Sequence, residues 1–267
     1  DLTHLGQQGA EVVRGDATSE QDLRALFAEG SAALVLLPEN VADPDFVENR
    51  EVMSRAIRDA LRAERLSHVV ALSTVGAERA DAPGPPGGLH SFEQDLAELE
   101  SANLLLLRSA TYLDYLLAAL PMITAQKING SAIEAGVRIP MVATADVARE
   151  AAERLTKRDF DGHQVKVLLG PEDVTMAEAT RAIGQRLGMP DLPYVEFPPD
   201  GVRAALREAG MSEQVAGLLV DLQLALNSGR YYEGVERTED STMPTRLDDF
   251  LRGALPEPTV EQAEAAR

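Results

Sequence analysis

Three short apolar runs, AALVLLP (32–38), HVVALSTVG (68–76) and NLLLLRSA (103–110), limit what this chain can fold into. Each is apolar at consecutive positions rather than alternate ones, and each is short for a helix. A strand with that pattern is covered on both faces, as in a parallel sheet with helices above and below. The segments around the runs carry the other periodicity. SEQDLRALFAEG (19–30) puts Leu23, Leu26 and Phe27 on one helical face, with Thr18 or Ser19 to cap it and Gly30 to stop it. DPDFVENREVMSRAIRDALRAERL (43–66) is a long amphipathic helix with Val47, Val52, Ile57 and Leu61 inward, and HSFEQDLAELESA (90–102) is another helix. With EVVRGD (11–16) as a strand ahead of them, the βαβαβαβ rhythm predicts an α/β chain built on a doubly wound parallel sheet.

Past residue 110 the rhythm loosens. We expect a helix near 111–123, a hairpin-like segment over 128–142, a helix over 143–157 and a strand over 164–170. A helix over 175–189 and a short strand over 194–199 follow, then helices at 200–209, 212–227 and about 244–253. This predicts a sheet-bearing domain over 1–125 and a small, mostly helical C-terminal lobe over 126–255 that shares strands with the sheet. The polar tail 256–267 is expected to be flexible.

Composition narrows the function. A 267-residue chain that is 45% apolar can bury a full core. It has no apolar run long enough to span a membrane and no secretory leader pattern, which predicts a cytoplasmic protein. With no Cys there is neither a disulfide nor a thiol nucleophile. The net charge of −19 opposes direct nucleic-acid binding. An anionic cofactor can still be held locally by backbone N–H groups and helix N-termini. His4, His68, His90 and His163 are far apart and lack metal-ligand spacing, so no metal site is expected. No Gly-x-Ser-x-Gly elbow is present. The partner to expect is a small-molecule substrate, on a monomer or a homodimer.

Six segments, taken in order, resemble the NmrA-like branch of the atypical short-chain dehydrogenase/reductases. They are GAEVVRGDATSEQDLRALFAEG, HVVALSTVGA, GLHSFEQDL, LLLLRSATYLDYLL, IPMVATADVAREAA and LLGPEDVTMAEATRAIGQRLG. Within that branch they are similar to bacterial NAD(P)H-dependent quinone or azo-dye reductase-like proteins. The resemblance implies a Rossmann fold, NAD or NADP at the carboxyl ends of the strands, and a substrate cleft under the C-terminal lobe. The family opens with a strand, a glycine-rich turn, a helix and a second strand, whereas this sequence begins at DLTHLGQQGAEVV. The 1–125 domain therefore lacks its first βαβ unit, and about 35–45 residues are expected to precede Asp1 in the natural protein. The alternative is a truncated chain unable to bind the cofactor. The choice between NAD and NADP is made on the second strand, so it is not readable here.

The resemblance also assigns residues. Asp16 and Ala17 fall beside the adenine, although Asp16, Thr18 and Ser19 can equally serve only to shape a turn and cap a helix. Leu37 and Pro38 leave their strand at the cofactor crevice, as do Ser73 and Thr74. Ala110, Thr111 and Tyr112 bracket the nicotinamide amide, and Val75, Tyr112 and Tyr115 face the substrate. Many short-chain reductases pair a Tyr acid with a Lys four residues later. Here the Lys position falls on His90 and the Tyr position on Pro86, so no tyrosine acid is available. His90 is the candidate catalytic residue and a cofactor contact, or else merely a helix-start residue with Glu93 nearby. Relatives read roughly Arg-Pro-Gly/Ala-x-Phe-x-Glu-Asn where this chain has Arg108, Ser109, Ala110, Tyr112, Asp114 and Tyr115, which puts the inherited substrate preference in question. The expected function is an NAD(P)H-dependent oxidoreductase acting on a quinone-like or planar conjugated acceptor. The alternative is a non-catalytic NAD(P)-binding redox sensor of the NmrA type. A ketoreductase or dehydratase-like enzyme is the third reading, and it needs an acid the sequence does not supply.

Overall fold

The computed structural model describes residues 2–255, so the expected tail over 256–267 lies outside them. The elements run α1 (Thr3–Gln7), α2 (Glu20–Phe27), β1 (Ala32–Val35), α3 (Phe46–Glu64), β2 (His68–Thr74), α4 (Pro86–Ala97) and β3 (Asn103–Ser109). Then come β4 (Thr111–Tyr112), a 3-10 segment (Leu113–Ala119), α5 (Leu120–Gln126), β5 (Asn129–Ser131), β6 (Arg138–Val142), α6 (Thr144–Lys157) and β7 (His163–Leu168). The chain closes with β8 (Asp173–Thr175), α7 (Met176–Arg186), β9 (Tyr194–Glu196), α8 (Pro199–Glu208), α9 (Glu213–Asn227) and α10 (Leu247–Ala254).

The main sheet is parallel throughout, in the order β1-β2-β3-β7. Its register explains the unbroken apolar runs. Val69, Ala71, Leu104 and Leu106 pack on one face against Phe27, Ile57, Leu61, Phe92 and Leu96 from α2, α3 and α4. Val70, Leu105, Leu107 and Leu168 pack on the other against Val147 and Ala151 of α6. Both faces are covered, and the helices lie on both sides, which is the Rossmann-type arrangement.

Four local expectations are corrected. EVVRGD forms no strand, and Val12 and Val13 are 49% and 54% exposed. A strand needs a ladder partner, and β1 pairs with β2 alone in the main sheet. The Asp16 N–H turns instead to the Asp22 carboxylate at 2.9 Å. The helix expected to start at residue 90 starts at Pro86, because proline has no N–H to leave unsatisfied in a first helical turn. His90 is therefore inside α4, not at its start. The 111–123 helix is split: Thr111 and Tyr112 pair with Met141 and Val142, and regular helix begins only around Pro121. The 128–142 hairpin does not form either. β5 pairs in parallel with β9, while β6 pairs in parallel with β4 and antiparallel with β8. Buried Asn129 donates to Thr180 of α7 at 2.8 Å and holds β5 away from a fold-back.

Candidate functional site

The carboxyl ends of β1, β2 and β3 lie side by side. They bring together Leu37, then Ser73, Thr74 and Val75, then Ala110, Thr111 and Tyr112. Leu37, Val75 and Ala110 are buried and apolar, while Pro38 is exposed. The polar groups at these ends have partners inside the protein. The Ser73 hydroxyl donates to Glu93 at 2.5 Å, and the Thr74 hydroxyl donates to the Ser109 carbonyl at 3.1 Å. The Ala110 N–H donates to the Leu168 carbonyl, and the Thr111 N–H donates to the Tyr232 hydroxyl at 3.0 Å.

Beneath these ends lies a charged cluster. Glu93 of α4 is 4% exposed and accepts two hydrogen bonds from Arg108, at 2.9 and 2.6 Å, besides the one from Ser73. The bidentate pair holds the Arg108 guanidinium above its ordinary pKa. Close by, the α4 imidazole of His90 contacts the Ala77 carbonyl through Nδ1 at 2.8 Å. A carbonyl only accepts, so Nδ1 carries the proton and Nε2 is the nitrogen left to take up or accept another.

Two tyrosine pairs complete the surround. Tyr112 and Tyr115 have ring centroids 5.8 Å apart, and the Tyr112 hydroxyl accepts from Ser109 at 2.9 Å. Tyr115 keeps 59% of its surface exposed. Burial, assisted by the Glu39 carboxylate, pushes that phenol up to about 12. Tyr231 and Tyr232 pack edge to face at 5.0 Å. Tyr231 donates to the Val75 carbonyl at 3.1 Å, and Tyr232 bonds both the N–H and the hydroxyl of Thr111. Gly76, at φ +99°, makes this seating possible, because a Cβ there would sit 2.7 Å from the Tyr231 hydroxyl.

Asp16 and Ala17, expected beside the adenine, stand apart from the strand ends. The Asp16 carboxylate accepts from the Thr18 N–H and hydroxyl at 2.8 and 2.7 Å, which lowers its pKa and closes a turn before α2. No described contact links Asp16 or Ala17 to the strand ends. A charged groove of about 460 Å³, lined by Arg138, Glu172, Asp173, Arg237 and Arg246 among others, shares no residue with the strand ends. Ion pairs Arg237–Asp173 and Arg246–Glu172 occupy it. Among the described residues, no group of three or more His, Asp or Glu could hold a metal, and no helix is long and apolar enough to cross a membrane.

Residues 1–158, more than half of the chain, match the family model described as NAD(P)H-binding. The chain belongs to the NAD(P)H-binding family. Solved structures share the fold. The triphenylmethane reductase of Citrobacter sp., complexed with NADP(H), has a TM-score of 0.71 at 20% identity, over 100% of this chain and 87% of its own. The NADPH-dependent quinone oxidoreductase of Escherichia coli, complexed with NADPH, has a TM-score of 0.72 at 21% identity, over 99% and 85%. A nucleoside-diphosphate-sugar epimerase from Staphylococcus aureus has a TM-score of 0.70 at 16% identity, over 89% and 81%. No curated protein sequence matches the chain. Leu37, Val75 and Ala110 are apolar and lie at the carboxyl ends of adjacent strands, where folds of this type keep their cofactor crevice.

Sequence reasoning missed Arg50, Tyr231 and Tyr232 at this site, while it reads Glu39 with Leu37 and Pro38 as part of a strand end facing the crevice. Arg50 lies four residues from Phe46 and from Ser54 on the buried face of α3, but a charged residue on an amphipathic helix reads as solvent-facing. The tyrosines left no signal, as they meet residues more than a hundred positions earlier.

Proposed function

We propose that the protein is an NAD(P)H-dependent reductase of a quinone-like or other planar conjugated acceptor. One observation carries this reading: the hydroxyl donors at the end of β2 are already committed, Ser73 to Glu93 and Thr74 to the Ser109 carbonyl. An acceptor that needs a proton from the serine or threonine at this strand end finds none free there. A conjugated acceptor does not need one, because its reduced charge is delocalised and water can protonate it. The bound cofactor supplies the hydride; the chain supplies the bed of Leu37, Val75 and Ala110 and an aromatic wall from Tyr112 and Tyr115. His90, with its proton fixed on Nδ1, positions the ribose or receives a proton at Nε2. Pro38, Ser73, Thr74, Ala110, Thr111 and Tyr112 border the nicotinamide, with the 126–255 lobe over the cleft. A cytoplasmic setting, where reduced cofactor is supplied, goes with this reading.

The test has two parts. NADH and NADPH are titrated by nicotinamide fluorescence, and then the loss of reduced-cofactor absorbance is followed with naphthoquinones under anaerobic conditions. Binding with turnover is the expected result. Binding without turnover of any quinone or dye replaces the reductase with the redox-sensor reading, and no binding removes both.

A further inference from the structure

Arg50 is an arginine in the wrong place for an ordinary surface charge. It lies on the inward face of α3 with Phe46, Ser54, Ile57 and Leu61, and its side chain is 4% exposed. Its Nε and Nη1 are buried with no hydrogen-bond partner. The neighbouring arginines are served quite differently: Arg58 holds Asp95 at 2.9 Å, and Arg108 holds Glu93 at 2.6 Å. The acid nearest to Arg50 is Glu39, at 3.7 Å, beyond hydrogen-bond distance and with half of its own side chain in solvent. The Phe46 ring, 5.0 Å from the guanidinium carbon, covers one face. A buried charge without hydrogen-bonded partners is costly, and a group left so calls for a partner the fold itself does not supply.

The surroundings say where that ligand lies. Glu39 follows the end of β1, and Gly88 of α4 leaves its missing Cβ position 3.7 Å from Arg50 Nε. The guanidinium thus lies beside the exit of β1, with Glu39 as a loose and movable counter-charge.

We infer that Arg50 receives an anionic oxygen group on the acceptor, so that the protein takes planar acceptors bearing a carboxylate or sulfonate. This names the substrate class of the reductase proposed above and rests on that reading. Glu39 yields to solvent when the ligand's acid group arrives, and the guanidinium trades a distant ion pair for direct charged hydrogen bonds. The cofactor's phosphates offer the same oxyanion chemistry, so the test must separate the two sources.

The probes are a 1,4-naphthoquinone carrying a carboxylate on a saturated side chain and its neutral amide, which share one redox ring. They are compared on the full chain and on Arg50→Met and Arg50→Lys, by kcat/KM and by equilibrium binding without cofactor. The unaltered protein is expected to favour the acid by about 10- to 100-fold, as charge-assisted hydrogen bonds do. Arg50→Met should erase that preference by weakening the acid alone, and Arg50→Lys should restore part of it. Equal use of acid and amide overturns the inference. So does an Arg50→Met variant that weakens both probes equally, which marks a structural role. Weakened NADH or NADPH binding in Arg50→Met with an unchanged acid-to-amide ratio assigns the oxyanion to the cofactor and also overturns it. If neither quinone is reduced but the acid still binds better through Arg50, the oxyanion receptor stands and the reductase reading falls.

Discussion

Glu93 shows how much one side chain can organise. It holds a bidentate Arg108 from β3 and the Ser73 hydroxyl from β2 while almost wholly buried on α4. Removing it leaves the Arg108 charge, whose side chain is 18% exposed, with only Glu78 at 3.4 Å. Glu93→Ala is therefore expected to destabilise the fold by about 3–5 kcal/mol, as breaking a buried ion pair does. Urea unfolding at neutral pH measures this, and a loss below about 1 kcal/mol, the value of an exposed pair, would show that the cluster is not truly buried. The sequence marks Glu93 only as a neighbour of His90. The site residues it does reveal, such as Ser73, Val75 and Tyr112, are those whose place follows from the end of an apolar strand. Arg50 stays hidden because the reading of α3 turns Val47 and Val52 inward, whereas the buried stripe runs through Phe46, Arg50, Ser54, Ile57 and Leu61. A charged residue on an amphipathic helix reads as solvent-facing by default.

Among the elements, α4 links the sheet to α9. Its approach passes Gly84 at φ +80°, where a Cβ would meet the Leu222 side chain of α9 at 2.8 Å and the Leu218 carbonyl at 2.9 Å. Gly84→Ala therefore suffers both backbone strain and a clash, with an expected cost of about 1–3 kcal/mol. Amide hydrogen exchange checks it: protection should fall at the start of α4 and along α9 while β2 and β3 stay protected. Uniform loss across the sheet would mean that this contact is part of the central core instead. The elements legible in the sequence are β1, β2, β3, β7 and most helices, because each carries its own periodicity. β4, β5 and β9 are two or three residues long and are specified by pairing across the chain, which no local pattern records. EVVRGD is the converse case, a segment with strand composition and no strand beside it.

At the scale of the molecule, the tyrosines set an alkaline limit. Burial raises the pKa of Tyr231 and of Tyr232 above the ordinary 10.0. In the unfolded chain both phenols ionise near that ordinary value, while in the folded protein they stay neutral to a higher pH. The unfolded state thus releases protons first as pH rises. The stability these groups hold is fully present below about pH 10 and is lost as pH climbs through the folded values. Urea midpoints between neutral pH and about pH 11 should hold steady and then fall steeply, and Tyr231→Phe should flatten the fall. A midpoint that declines equally in the variant would assign the loss to other groups.

The same residues have an optical consequence. The chain has five tyrosines and no tryptophan. Four of the five, Tyr112, Tyr115, Tyr231 and Tyr232, stand in two ring pairs around the strand ends, with Tyr231 and Tyr232 hydrogen-bonded to the backbone there. The protein's ultraviolet emission thus originates almost entirely at the cleft, with no indole to outshine it. A reduced nicotinamide lodged among those rings would quench them by energy transfer, so occupancy of the crevice can be watched without any label.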